Sequence, residues 1–204
     1  MATYKIILQG GGQHARVVLD CALAQGHDVV SVYDPKYNEQ LYGIPQRGEY
    51  DADADLGAHA IVAIGDNALR KKVVEKTKHP FANAIHPSVI LSPFAILGQG
   101  NMLLQGTIVQ SQAKIGNHVI LNTGSQVDHD CIIEDYVHLG PGVILCGRVQ
   151  IGEGAFIGAG ATVIPGKKVG AWSIVGAGSV VIDHIPDYVV AVGNPARVVK
   201  HWKP

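Results

Sequence analysis

One register governs everything after the midpoint of this sequence. Stepping by six from Ile85 meets Leu91, Leu97, Leu103, Val109, Ile115, Leu121, Val127, Ile133, Leu139, Leu145, Ile151, Ile157, Val163, Val169, Val175 and Val181, and all seventeen positions hold Ile, Leu or Val. Glycine often follows, as in "IGNHVI", "LGPGVI", "IGEGAF" and "VGAGSV". Four residues after the aliphatic the side chain is usually small or β-branched, as at Val119, Ser125, Cys131, Val143, Ala155, Ala161 and Ser179. A period of six cannot belong to an α-helix, whose turn takes 3.6 residues. It fits a parallel β-helix in which three hexapeptides make one triangular coil. The aliphatic points into the prism from each flat side, and the small residue fits near the corner. Each coil buries its apolar edge only against the next, so the unbroken register supplies a continuous core.

The first half has a different grammar. "YKIIL" (4–8) is a short apolar strand running into "QGGGQHARVVLDCALAQG", a glycine loop and a helix-like stretch. "HDVVSVYD" (27–34) is a second strand ending in Asp34, and "AIVAIGDNALRKKVVEK" (60–76) is a third strand entering another helix. Alternation of this kind predicts a small Rossmann-like parallel α/β unit. We place that unit at residues 1–82 and the β-helix, with a C-terminal tail, at 83–204. Residues 35–59 are expected to be loop. The triplet Asp51, Asp53 and Asp55 is similar to the start of a calcium loop, but Leu56 stands where the loop needs Gly and Val62 where it needs Glu. A solvated loop is expected there.

Bulk properties exclude several classes. Lys plus Arg is 16 against 17 for Asp plus Glu, with no basic block, so nucleic acid is not an expected partner. No apolar run approaches the ~18 residues that cross a bilayer. "MATYKIILQGGG" lacks the regions of a signal peptide. Cys21, Cys131 and Cys146 are an odd set without CxxC spacing, which argues against a disulfide framework or a zinc knuckle. A soluble, cytoplasmic protein is the expectation.

Gly10-Gly11-Gly12-Gln13-His14-Ala15 matches GxGxx(G/A) after a strand, with Asp34 further on. Such a turn offers backbone N–H groups at a helix N-terminus to phosphate, and His14 can donate to phosphate or ribose oxygens. The same glycines would also serve a tight turn for conformation alone. Nicotinamide enzymes have a longer α/β domain than these ~80 residues, which favours a nucleotide-linked substrate over a redox dinucleotide.

With "GGGQH", "AIGDNALRKKV", "IHPSVI", "LNTGSQVDHDC", "VHLGPG" and "VGNPARVVK" in one chain, the sequence resembles the bacterial hexapeptide-repeat sugar acetyltransferases. These include the 4-amino-sugar N-acetyltransferase of bacillosamine synthesis and the sialic-acid O-acetyltransferase. The resemblance spans essentially the whole chain and implies a left-handed β-helix and a homotrimer with active sites between neighbouring prisms. It places the general base on His129, with Asp130 raising its basicity. Asp130 is one methylene shorter than the Glu of the bacillosamine enzyme. It also implies that His138 contacts acetyl-CoA and that Gly12, Gln13, His14, Asp34 and Gly65 contact the nucleotide-sugar. Asn122 would lie beside the amino-sugar. The implied reaction is acetyl transfer from acetyl-CoA to a UDP- or GDP-linked 4-amino-sugar, with transfer to a sugar hydroxyl, as in the sialic-acid type, the alternative.

The coil length gives a separate expectation. Eighteen residues beyond His129 lies Gly147, directly above the imidazole, and Ala159 and Ala177 are likewise one coil apart. A slim thioester arm could lie along such small residues, so Gly147, Ala159 and Ala177 are candidate acetyl-CoA contacts. The repeat's own preference for small residues would explain them equally well. Amide formation needs a base to take a proton from the attacking amine, and an imidazole suits that task. On an extended strand Asp128 and Asp130 both point away from the His129 face. Only a corner or bulge would bring one to the ring, and the sequence leaves open which. Cys131 is a candidate nucleophile by proximity, but its inward position predicts core.

Two rival classes are weaker. Carbonic anhydrases built on such prisms pair histidines five apart, whereas Glu134 and Gly124 flank His129 at that spacing, so no metal is expected. A non-catalytic nucleotide-sugar sensor would not need His129, Asn122 and "GNPAR" together. The remaining histidines, among them His27, His59, His79 and His201, are expected on the surface.

Overall fold

The computed structural model describes residues 3–36 and 41–203. Strands β1 (Lys5–Gln9), β2 (Asp28–Tyr33), β3 (Gln46–Arg47) and β4 (His59–Val62) form one parallel sheet in the order β3-β2-β1-β4. Helices α1 (Gln13–Ala24) and α2 (Asn67–Val74) follow the first and last of the three main strands. The expected loop at 35–59 therefore contains a strand, and its residues 37–40 lie outside the described residues. Asp55 is not simply solvated either. Ser31 Oγ and Tyr33 Oη donate to its carboxylate at 2.7 and 2.8 Å, and Arg47 pairs with it at 3.3 Å.

From Ala84–Ile85 (β5) to Val180–Val181 (β21), seventeen two-residue strands succeed one another. From β5 to β18 each pairs in parallel with the strand one coil on, as in Ile120 with His138 and Gln126 with Ile144. Three faces result, of eight, six and five strands. β22 (Val189–Val192) and β23 (Arg197–His201) are two of the strands of the eight-stranded face, the other six coming from the solenoid coils. The inward residues from Leu121 to Val181 are fully buried or nearly so. Leu91 and Leu97, in the first coil, are only partly buried, because no coil lies beneath them.

The eight-stranded face buries its outward side as well. Met102 and Ile120 are 0% exposed because α1 and the parallel sheet pack against them in one cluster with Ile6, Val18, Leu19 and Ala22. Each such side chain contributes ~1.5–3 kcal/mol on burial. Cys21 adds a thiol contact from α1 to the Leu103 carbonyl at 3.5 Å. The two parts of the chain thus share a core, and the ends of β1 and β4 are held against the β-solenoid. His27 and His79 depart from the surface expectation, at 4% and 7% exposed. Tyr4 N donates to His27 Nδ1, and Tyr50 Oη lies 2.6 Å from His79 Nδ1.

Candidate active site

His129 sits on the solenoid edge between the six-stranded and five-stranded faces, after β12 (Gln126–Val127) and before β13 (Ile132–Ile133). Val127 anchors the turn inward and is 0% exposed. Asp130 takes a left-handed conformation, φ 59°, which turns its carboxylate back to the ring. Asp130 Oδ2 lies 2.7 Å from His129 Nδ1, while Asp128 Oδ1 accepts the His129 backbone N–H at 2.7 Å. The two acids thus have separate tasks. With Nδ1–H directed at Asp130, Nε2 keeps its lone pair. That atom faces Gly147, where a Cβ would stand 2.6 Å from Nε2. Cys131 is 0% exposed, its thiol reaches the Cys146 carbonyl at 3.2 Å, and burial pushes its pKa up to about 11. It is core, as its position in the repeat predicts.

A second group forms where β4 and α2 meet the eight-stranded face. His138, in β14 (His138–Leu139), has its Nδ1 3.1 Å from the Gly65 carbonyl and its Nε2 3.2 Å from Asn122 Nδ2. Burial, reinforced by the Arg70 cation, pushes the His138 pKa down to about 3, so the ring is neutral. His14 stands 6.1 Å from it, centroid to centroid, and packs on Gly65. His14 Nε2 is buried without a hydrogen-bond partner among the described residues, and burial together with Arg70 lowers the His14 pKa to about 4.

The glycine loop closes this side. Gly10 has φ 101°, and a Cβ there would stand 2.8 Å from Ile64 Cγ1, so only glycine lets the loop pass β4. Gly12 caps α1 without a side-chain hydrogen bond, and Ala15 N–H turns back to the Gly12 carbonyl at 3.1 Å, so the Gln13 and His14 N–H groups are the ones this turn offers to a ligand. Asp34 is already engaged, accepting Gly11 N–H at 2.7 Å and Lys36 N–H at 2.9 Å. Gln13 is exposed beside the loop.

The candidate residues therefore fall into separate places within one chain. Gly12, Gln13, His14, Asp34, Gly65, Asn122 and His138 gather around the junction of the α/β unit with the eight-stranded face. His129, Asp130 and Gly147 lie on the edge opposite that face. Ala159 and Ala177 are exposed on a third position, the edge between the eight- and six-stranded faces, in the column above Thr123. His118 joins none of them, being stacked on Tyr136 and met edge-on by Phe81. Among the described residues no three His, Cys, Asp or Glu side chains are placed to share a metal ion. No helix there is long and apolar enough to cross a membrane.

Sequence reasoning missed Asn67, Arg70, Phe156 and Trp172. Asn67 donates to the Gly154 and Ala155 carbonyls at 3.0 and 3.2 Å, and Phe156 meets the His138 ring edge-on at 5.1 Å. Asn67, Phe156 and Trp172 help line a cleft of about 260 Å³ that begins at Gly65. The "GDNALRK" stretch was legible as a motif, but which of its residues turn inward was not.

A parallel α/β unit seated on a hexapeptide solenoid, with a His–Asp pair at a corner, defines a class of transferase. Residues 112–147 and 148–183 match the bacterial transferase hexapeptide (six repeats) family, and residues 5–77 match the PglD N-terminal domain. A solved perosamine N-acetyltransferase from Caulobacter crescentus, in complex with CoA and GDP-perosamine, is 40% identical over 96% of this chain and 97% of that one, with a TM-score of 0.93. The acetyltransferase domain of PglB from Neisseria gonorrhoeae, in complex with acetyl coenzyme A, is 32% identical over 97% and 100%, with a TM-score of 0.91. UDP-N-acetylbacillosamine N-acetyltransferase of Bacillus subtilis is 49% identical over 109 residues, 48% of this chain and 50% of that protein. The chain spans about half the length of the curated relatives it matches. This chain belongs to the PglD-type hexapeptide-repeat N-acetyltransferase family.

Proposed function

We propose that this protein transfers the acetyl group of acetyl-CoA to the amine of a nucleotide-linked (UDP or GDP) 4-amino-sugar, in the cytoplasm. The observation that carries the reading is the 2.7 Å contact of Asp130 with His129 Nδ1, which leaves Nε2 as a proton acceptor over the side-chain-free Gly147. The amine nitrogen attacks the thioester carbonyl carbon and gives its proton to His129 Nε2. The C–S bond then breaks and the imidazolium returns the proton to the thiolate. Asp130 stabilises the charged ring and fixes its orientation. The transfer is direct, with no acyl-enzyme, since burial raises the pKa of both nearby thiols, Cys131 and Cys146, and favours their protonated form.

The nucleotide-sugar takes the first turn of α1, with Gly12, Gln13 and His14 at its phosphates, and the space between Gly65, His138 and Asn122 for the sugar. Acetyl-CoA runs past Gly147 and the exposed Ala159 and Ala177. The Asn122 and His129 groups lie on the two edges that flank the six-stranded face, so a complete site needs two copies. We infer a homotrimer in which the His129 edge of one chain meets the Asn122 edge of its neighbour. The six-stranded face favours this, for its outward row of Ile90, Ile108, Gln126, Ile144, Thr162 and Val180 carries four branched aliphatics. A head-to-tail contact of this kind closes into a ring.

The test is thiol release from acetyl-CoA across a panel of UDP- and GDP-linked 4-amino-sugars, with sialic acid as the hydroxyl control. Release is expected with one or more amino-sugars and not with sialic acid. Release with sialic acid alone would move the assignment to a sugar O-acetyltransferase.

A further inference from the structure

We propose that Arg70 is a positioning residue: its guanidinium holds the Gly65 turn, and through that turn it sets the His138 ring and the Asn122 amide. The proposal rests on the reading of this pocket as the sugar site.

Arg70 is 0% exposed, and all five of its N–H donors are placed. Nε donates to the His118 carbonyl at 2.9 Å and Nη2 to the Tyr136 carbonyl at 2.7 Å, two acceptors one coil apart on the solenoid. Nη1 donates to the Ile64 and Gly65 carbonyls at 2.9 and 3.3 Å, and Nη2 also to Asn67 Oδ1 at 2.8 Å. No carboxylate touches it among the described residues. Burying a cation against carbonyls alone is costly, and burial lowers its pKa to about 9. What the arrangement gains is a fixed fork joining the end of β4 to two solenoid coils. A lysine, with three donors on a flexible stem, cannot span both sides.

The consequence runs through Gly65. Its carbonyl oxygen has two lone pairs, and Arg70 Nη1 and His138 Nδ1 approach it together. His138 must therefore carry its proton on Nδ1, since an unprotonated Nδ1 would face a carbonyl oxygen. Nε2 is then an acceptor, and Asn122 Nδ2 donates to it. Asn122 Oδ1 accepts Thr123 N–H at 2.8 Å, so both ends of the amide are assigned. One N–H of Asn122 remains to meet a ligand, in an orientation that Arg70 ultimately sets.

The experiment reads the tautomer without turnover. In protein labelled with ¹⁵N-histidine, the His138 resonances are assigned by their loss in His138→Gln. Wild type should show a single Nδ1–H tautomer; an Nε2–H tautomer there overturns the proposal at once. In Arg70→Met and Arg70→Lys the His138 shifts should move to averaged values, and kcat/KM for the amino-sugar should fall on the order of 10²-fold. If Arg70→Met does not fold, Arg70→Lys alone decides. Wild-type tautomer with kcat/KM within about twofold in Arg70→Lys would overturn the positioning role. Absence of any acetyl transfer by wild type would instead strike at the functional reading, leaving the tautomer result intact.

Discussion

The Asp130 carboxylate reaches His129 Nδ1 at 2.7 Å because the chain turns a corner between them, with Asp130 at φ 59°. On a flat strand neighbouring side chains oppose each other; here the left-handed residue folds one back onto the other. Asparagine tolerates that conformation, so Asp130→Asn removes the charge and keeps the turn. A hydrogen bond to a charged group is worth ~1.5–3 kcal/mol, so kcat should fall about 10- to 10²-fold. Asp128→Asn, which keeps an acceptor for the His129 N–H, should cost far less. Steady-state kinetics of the two variants, side by side, check the difference.

His129→Ala should lose ~10²–10⁴ in turnover with the thermal melt little changed, because the ring is half exposed and supports no core residue. Near-normal acetylation by this variant would remove His129 from the reaction. Gly147→Ala places a methyl 2.6 Å from Nε2, so the ring must move. A loss on the order of 10² in kcat is expected, since displacement by about an ångström has that effect.

Cys131→Ala should leave kcat within about twofold and cost about 1 kcal/mol of stability, the ordinary penalty for a modest core change. The Sγ contact with the Cys146 carbonyl is the interaction removed. Activity assays and denaturant titration separate the two effects. A large loss of activity would bring back a covalent route.

Stability should fall in mild acid. His138, His14 and His118 titrate in the fold at about 3, about 4 and about 4, lowered first by burial and then by Arg70. Unfolded histidine titrates near ~6.5, so below that pH the unfolded chain binds more protons than the folded one. The contribution is complete above pH ~6.5 and is lost as pH falls through the folded values, at up to ~1.4 kcal/mol per pH unit for each group. Denaturant melts between pH 7 and pH 4 should show this slope, and His138→Gln should flatten it.

The solenoid was legible because its period is written in side chains, and so was the Gly147 column, which needs only the coil length. The contact of Asp130 was not, since strand alternation fails at a left-handed corner. Arg70 left no mark because four of its five acceptors are backbone carbonyls, which every residue has. His27 and His79 were misplaced for a related reason: their partners, Tyr4 N–H and Tyr50, come together only when the sheet forms. Strand β3 was hidden by its length of two residues.

A shared site predicts complementation between chains. His129→Ala and Asn122→Ala should each be nearly inactive alone. Mixed during refolding or co-expression, they should recover about a quarter of the wild-type sites, those pairing an intact edge from each chain. A site built within one chain would recover none.

In the proposed reaction the acetyl group ends on a sugar nitrogen. Its most direct test is the product: protein, acetyl-CoA and a UDP- or GDP-linked 4-amino-sugar are incubated, and NMR identifies the atom that carries the acetyl group. An amide at the amine-bearing carbon is expected, formed in step with thiol release and absent with His129→Ala. An ester on a hydroxyl, or acetylation of sialic acid with the amino-sugars untouched, would contradict it.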